Sequence, residues 1–439
     1  MGRCSSAAAS RTRADGGPPA AGGMSRGPDS RYPGGLSVLG PLDPYRRILA
    51  LPRVRSLVLV TSLARIPAAA SSVVLTLHVV LSLGGGFAAA GVLAAVLTIG
   101  GALGAPLMGR ITDRHGLRRT LVLTGAGQGV FWLLAVFLPY PALLPLAFLG
   151  GLLTLPLFSV SRQSLAALVP EDRRRTAYSL DSMAVEVSFA LGPAAGVVMA
   201  TTVSTRAALL TIGASMLAAG TLLYLLNPPI RSEAEQAEGA AAPPRREWVT
   251  HRLMVVLLAT SGATVVLAGT DVSVVATLRQ AGELSWTGVV IASWCAWSLI
   301  GGFVHGSLRR ALPALVLSEL LCLLTIPVGL AGHWWMLALA LIPAGAMCAP
   351  TLASTAELVS RLVPASARGE AMGFHTSALT AGIALGAPLA GTVVDHLGPG
   401  MGFAAAGATG AALGGLGLLA VRTGARVRRL RAAGQRAAP

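Results

Sequence analysis

Twelve stretches of about twenty residues, nearly free of charge, follow one another between Ser56 and Val421. Each has the length that a helix rising 1.5 Å per residue needs to cross the hydrocarbon of a bilayer. The approximate spans are 56–82, 87–108, 120–138, 141–162, 177–201, 206–226, 253–278, 285–307, 311–330, 334–356, 371–394 and 402–421. Strands are excluded, because an open strand edge leaves backbone groups without partners in lipid. Only 12% of the residues are charged, against about 25% in a soluble domain. The sequence therefore predicts an all-α integral membrane protein with twelve transmembrane helices.

Charge narrows the chemistry. The 34 basic residues are all Arg. Without Lys there is no P-loop lysine for nucleotide phosphates and no Schiff-base nucleophile. A pump driven by its own P-loop ATPase and pyridoxal-phosphate chemistry are both excluded. The net charge of +16 does not point to nucleic acid, since the Arg residues are clustered between apolar segments rather than on one soluble face with aromatics. Counting both termini, alternate connections carry 31 of the 34 Arg. By the positive-inside rule both termini are expected in the cytoplasm, and a cell (inner or plasma) membrane is the expected location. Cys4, Cys295, Cys322 and Cys348 show no C-x-x-C spacing, so packing is expected of them rather than metal or redox work. No cofactor or metal is expected. The absence of H-E-x-x-H and G-x-S-x-G patterns argues against an enzyme.

The chain divides into a basic, disordered tail at 1–55, a six-helix bundle at 56–226, a polar cytoplasmic linker at 227–252, a second bundle at 253–421 and a basic tail at 422–439. An internal repeat supports the division. A shift of 194 residues lays 151–192 on 345–386 with 11 identities in 42 positions, including Val169, Pro170, Arg174 and Ala177 on Val363, Pro364, Arg368 and Ala371. Repeated halves in a helical membrane protein imply a transporter with its site at their interface.

The connection after the second segment holds Gly109, Asp113, Arg114, Gly116, Arg118 and Arg119 in the pattern G-x-x-x-D-R-x-G-x-R-R. Topology alone needs the Arg residues but not an Asp. The pattern resembles motif A of the major facilitator superfamily. With the twelve segments and the repeat, the resemblance covers essentially 56–421, and its tone is that of bacterial twelve-helix drug and metabolite efflux members. It implies that Asp113 meets the start of helix 11 and that these residues gate the cytoplasmic side. The copy in the second half keeps Gly302, Gly306, Arg309 and Arg310 but no Asp.

The fifth segment carries Gly192, Pro193 and Gly196, which resemble motif C of the family's proton-coupled exporters. Close helix packing by small residues accounts for them equally well. One departure weakens the proton-coupling assignment: the fourth segment reads Leu146 to Gly151 without the Arg that those exporters carry there.

Ionisable groups inside apolar segments cost about 3 kcal/mol or more each, so they mark function or pairing. Arg65 and Glu186 are each about ten residues into segments entered from the cytoplasm. Equal depth suggests an Arg65–Glu186 pair, either a proton-switched contact or a static lock between helices. Asp181 lies near enough to the interface to be solvated, and Arg162 counts among the Arg of a cytoplasmic connection. Asp271 is a second candidate, for a cation or a substrate amine, or else a carboxylate reaching the outer interface.

Together these features predict a monomeric secondary transporter working by alternating access. A small-molecule substrate, a coupling proton and the lipid bilayer are its expected partners. Proton-coupled efflux of a small, hydrophobic compound is the leading expectation. Uptake of a small metabolite and a transport-inactive sensor or scaffold on the same fold are the alternatives.

Overall fold

The structure, a computed structural model, describes residue 40 and residues 42–237, 243–308 and 311–415. The tails expected before residue 40 and from 422, the centre of the linker and the pair Arg309 and Arg310 lie outside the described residues.

No strand occurs among the described residues. The first half comprises α1 (Asp43–Leu49), α2 (Pro52–Leu77), α3 (Phe87–His115), α4 (Leu117–Ala135), α5 (Tyr140–Leu152), α6 (Leu157–Leu168), α7 (Arg174–Thr202) and α8 (Thr205–Leu226). The linker contributes two short turns, α9 (Glu233–Ala237) and α10 (Arg245–Trp248). The second half comprises α11 (His251–Gln280), α12 (Thr287–Ser307), α13 (Ala314–Thr325), α14 (Trp334–Leu362) and α15 (Arg368–Leu397). A last helix, α16, is described over 399–415.

Nine helical stretches among the described residues are long and apolar enough to cross a membrane. Three others occupy the remaining expected positions: α4, the shorter Ala314–Leu330 and α16. Polar side chains make α4 less apolar, and its central Gln128 is satisfied internally. The Gln128 amide donates to the Gly150 carbonyl at 2.7 Å and accepts from the Trp132 indole at 2.8 Å, so its burial is compensated.

The two halves repeat one neighbour pattern. In the first, α2 packs on α7 and α3 on α5; in the second, α11 packs on α15 and α12 on α14. The halves then meet along two seams, α3 on α15 and α7 on α12. Exchanging the halves exchanges the seams, as the sequence repeat requires.

Two expectations need correction. Helix begins at Asp43 rather than at 56, and Tyr45, Ile48 and Val54 are buried, so residues 43–55 are not part of a disordered tail. Apolar side chains at helical spacing are present there, but only two or three, too few to register as periodicity. The fourth segment is also not one helix ending at 162. It breaks between Leu152 and Leu157, where Pro156 disfavours helical geometry in the residue before it, and resumes as α6.

Candidate functional site

The ends of α3, α7, α12 and α15 that meet α1 and the linker form one face of the molecule, here the linker face. There Asp113, on the last turn of α3, accepts hydrogen bonds from the backbone N–H groups of Gly369 at 3.0 Å and Glu370 at 2.8 Å. These are among the first N–H groups of α15, which have no partner within their own helix and carry the positive end of its dipole. The approach is close because both chains have Gly at the crossing: a Cβ on Gly109 would collide with the Gly369 backbone. Gly116, at φ 86°, turns the chain from α3 into α4, a conformation an L side chain adopts at a cost. Arg114, Arg118 and Arg119 are exposed, and Arg118 stacks over the Tyr224 ring at 5.1 Å.

The second seam closes at the same face. The Thr176 hydroxyl donates to the Gly306 carbonyl at 2.7 Å, the Tyr45 hydroxyl to the Phe303 carbonyl at 2.8 Å, and Arg175 to the Leu308 carbonyl. Burial pushes the Tyr45 phenol up to about 12, against smaller opposing effects of Ser307 and Arg175, so it stays a donor throughout the physiological range.

The linker is not a free hinge in its described parts. Arg231 donates to the Asp113 carbonyl at 3.2 Å, Arg368 pairs with Glu235 at 2.8 Å, and Arg245 pairs with Glu370. Trp248 is buried and lies 6.3 Å from Phe374. Burial alone would raise the Glu235 carboxyl, but hydrogen bonds from Arg368 and the Ser232 N–H and the Arg368 charge hold it below the usual range. The linker thus grips the same helix start that Asp113 caps.

Deeper in the first half lies a buried charge cluster. Arg65 Nη2 is 2.8 Å from Asp181 Oδ1, which also accepts from the Ser161 hydroxyl at 2.6 Å. Arg162 Nε is 3.5 Å from Asp181 Oδ2, and its Nη1 is 2.9 Å from His375 Nδ1 across the seam. His375 Nε2 is 3.2 Å from the Thr355 hydroxyl. The guanidinium carbons of Arg65 and Arg162 sit 4.9 and 5.6 Å from the Phe158 ring centre. Arg65, Arg162 and Asp181 are at most 2% exposed.

The partner of Arg65 is therefore Asp181, not Glu186. Side chains on a helix lean toward its N-terminus. The long Arg65 side chain accordingly reaches about one turn back toward the linker face, to the level of Asp181. Glu186, five residues on, faces about 140° away, toward the other half, where the Cys348 thiol donates to it at 3.1 Å. Asp181 is consequently buried rather than solvated, and Cys348 does more than pack. Arg162 was hidden in sequence by the Arg run that follows it. The usable signal was the absence of Gly, Pro, Asn and Asp between Pro156 and Pro170, which allows helix to carry Arg162 inward. The fourth helical unit thus does bring an Arg into the interior.

Arg65 lines a cavity of about 220 Å³ between the halves, with Gly101 and Ala105 of α3, Phe158 and Ser159 of α6, Phe189 of α7, and Thr376 and Thr380 of α15. A larger groove of about 530 Å³ lies at the linker face, beside Arg53, Arg118 and Asn227, and touches none of the interior charges. Asp271 is exposed and makes no hydrogen bond or ion pair among the described residues, so the structure does not bring it to the Arg65 cluster. Gly192 and Gly196 pack α7 on α2, facing Ile66, Ala69, Ala70 and Val74, with Pro193 between them inside the helix. Hydrogen bonds between the halves run from the linker face to mid-depth, the innermost made by Glu186 with Cys348 and by Ser377 with the Ala102 carbonyl.

Solved structures share this fold. The human organic anion transporter MFSD10 (TETRAN) superposes with a TM-score of 0.61 at 16% identity, covering 85% of this chain and 99% of its own. The proton:xylose symporter XylE, bound to 6-bromo-6-deoxy-D-glucose, gives 0.61 at 15% identity, covering 83% and 94%. A bacterial homologue of the iron transporter ferroportin, in an outward-facing state with soaked iron, gives 0.63 at 18% identity, covering 83% and 97%. No curated protein matches by sequence. The sequence profile of the Major Facilitator Superfamily matches residues 57–313 and again 280–438. With a matching fold and two profile matches that together span nearly the whole described chain, this multi-pass membrane protein belongs to the Major Facilitator Superfamily.

Proposed function

We propose that the protein is a proton-coupled exporter of a small, largely apolar compound, working as a monomer by alternating access. The linker face is cytoplasmic in this reading, because the Arg-rich connections lie there, and the closed seams make the described state outward-facing. Asp113, Arg114, Gly116, Arg118 and Arg119 then belong to the cytoplasmic gate. Gly109 lets α3 and α15 touch within it.

The observation that carries the coupling is Glu186. It is buried at mid-depth between the halves, and its side-chain partners are a thiol and a hydroxyl rather than a cation. An unpaired carboxylate in such a place is expensive to keep charged, so gaining and losing a proton there shifts the balance between closed and open seams. The titratable and polar groups facing it are Cys348 of α14, Ser298 and Cys295 of α12 and, through space, Asp271 of α11. None is cationic. Proton entry from outside would reach Glu186 in this state and precede opening to the cytoplasm. The packing of Gly192, Pro193 and Gly196 against α2 keeps the first half rigid while it rocks.

Purified protein in vesicles with an imposed pH gradient tests this. Outward substrate movement should follow the gradient in wild type and lose its dependence on the gradient in Glu186→Gln. Gradient-driven transport that is indifferent to that substitution would remove Glu186 from the mechanism. Movement only in the inward direction would replace export with uptake.

A further inference from the structure

The charges of the Arg65, Arg162 and Asp181 cluster do not balance. Arg65 and Arg162 share a single carboxylate, Asp181, and His375 meets Arg162 through Nδ1, which must be unprotonated to accept from a guanidinium. A cation in surplus at 1–2% exposure is costly unless an anion joins it. Among the described residues Arg65 Nε and Nη1 and Arg162 Nε are buried donors without a hydrogen-bond partner, three donors against one such acceptor, Asp181 Oδ2. Buried donors are nearly always satisfied, so these mark a missing acceptor. The Arg65 side chain lines the cavity between the halves. The rest of that wall is mainly apolar, including Ala69, Leu155, Phe158 and Phe189, and the hydroxyls of Ser159, Thr376 and Thr380 already donate to backbone carbonyls.

We infer that this cavity binds a small amphipathic organic acid, with its carboxylate on Arg65 and its apolar body against Phe189, Leu155 and Ala69. The volume, about 220 Å³, falls below the ~300–1,000 Å³ of drug-sized sites, so the ligand is a compact acid of one or two rings. Both guanidinium groups lie over the Phe158 ring. This names a substrate class for the exporter proposed above and rests on that reading for its direction of travel, but not for binding itself.

The test is equilibrium binding to the purified full-length protein in neutral detergent, using 1-naphthoate and its uncharged twin 1-naphthamide. The acid should bind at least about tenfold more tightly, the scale of a charge-assisted contact. Arg65→Gln should erase that preference and leave the amide unchanged, while Arg65→Lys should keep part of it. Thr380→Phe, which fills the cavity without touching the charge cluster, should abolish binding of both. Equal affinities for acid and amide in wild type, a result needing no variant, would overturn the inference. A preference that survives Arg65→Gln would do the same. Displacement of naphthoate when phosphatidylglycerol is added to phosphatidylcholine nanodiscs would assign the guanidinium to a lipid headgroup and equally overturn it. Absence of acid preference alongside intact gradient-driven transport of another compound would sink this inference alone. Preserved acid preference without gradient-driven transport would sink only the exporter reading.

Discussion

Asp113 caps the start of α15 by accepting the Glu370 N–H at 2.8 Å, alongside that of Gly369 at 3.0 Å. A carboxylate facing unpaired N–H groups at a helix start contributes about 0.5–2 kcal/mol. Asp113→Ala should therefore raise the share of molecules open at the linker face severalfold. Spin labels at Arg119 and Glu247, both exposed, report this as a longer distance population in pulsed electron paramagnetic resonance. An unchanged distance distribution would show that the contact does not hold the gate.

Gly109→Ala attacks the same seam by shape instead of charge. Its new methyl group would overlap the Gly369 carbonyl, and backbone on two packed helices has little room to yield. The variant should fold, because α3 keeps its other contacts, yet populate the closed state less than wild type. Labels at the same two positions read it. A distribution like that of wild type would mean that the helices separate slightly without cost.

Asp181 serves two cations and Arg65 serves one anion, so their removal should be unequal. Asp181→Asn leaves two buried guanidinium groups uncompensated, whereas Arg65→Met leaves Arg162 and Asp181 as a balanced pair. Breaking a buried ion pair on one side costs about 3–5 kcal/mol. Asp181→Asn should depress the thermal midpoint in detergent clearly more than Arg65→Met. The reverse order would mean that the surplus positive charge is neutralised by some other group.

The linker grip has a defined pH range. The Glu235 carboxyl is depressed in the folded protein, so its contribution is complete above the ordinary Glu range, about 4.3. It is lost as pH falls through the lowered value. Amide exchange of residues 231–237, corrected for intrinsic rates, should stay slow from neutral pH down to about 5 and speed up below about 4. In Glu235→Gln it should be fast throughout. A loss of protection near neutral pH would trace the grip to another group.

Sequence made the architecture readable because bilayer thickness fixes helix length. Three residues of the Gly109 to Arg119 pattern were readable for a related reason: Gly109 permits a close crossing, Asp113 meets a helix start and Gly116 makes a turn. Pairing in the interior was harder to read. It depends on where a long side chain ends, not on where its Cα begins, and so Arg65 found Asp181 one turn nearer the linker face. Arg162 was obscured twice, by the Arg run at 173–175 and by the break that lets α6 enter at its own angle. The linker contacts left no trace in composition, since a polar, Pro-containing stretch looks the same whether docked or loose.

The tether between the two halves doubles as a bolt. Glu235 and Arg245 fasten to the start of α15, and Arg231 to the end of α3 that Asp113 joins to it. Work done on the tether, by a bound partner or by a cut, therefore acts on the contact between α3 and α15 without touching the interior cavity.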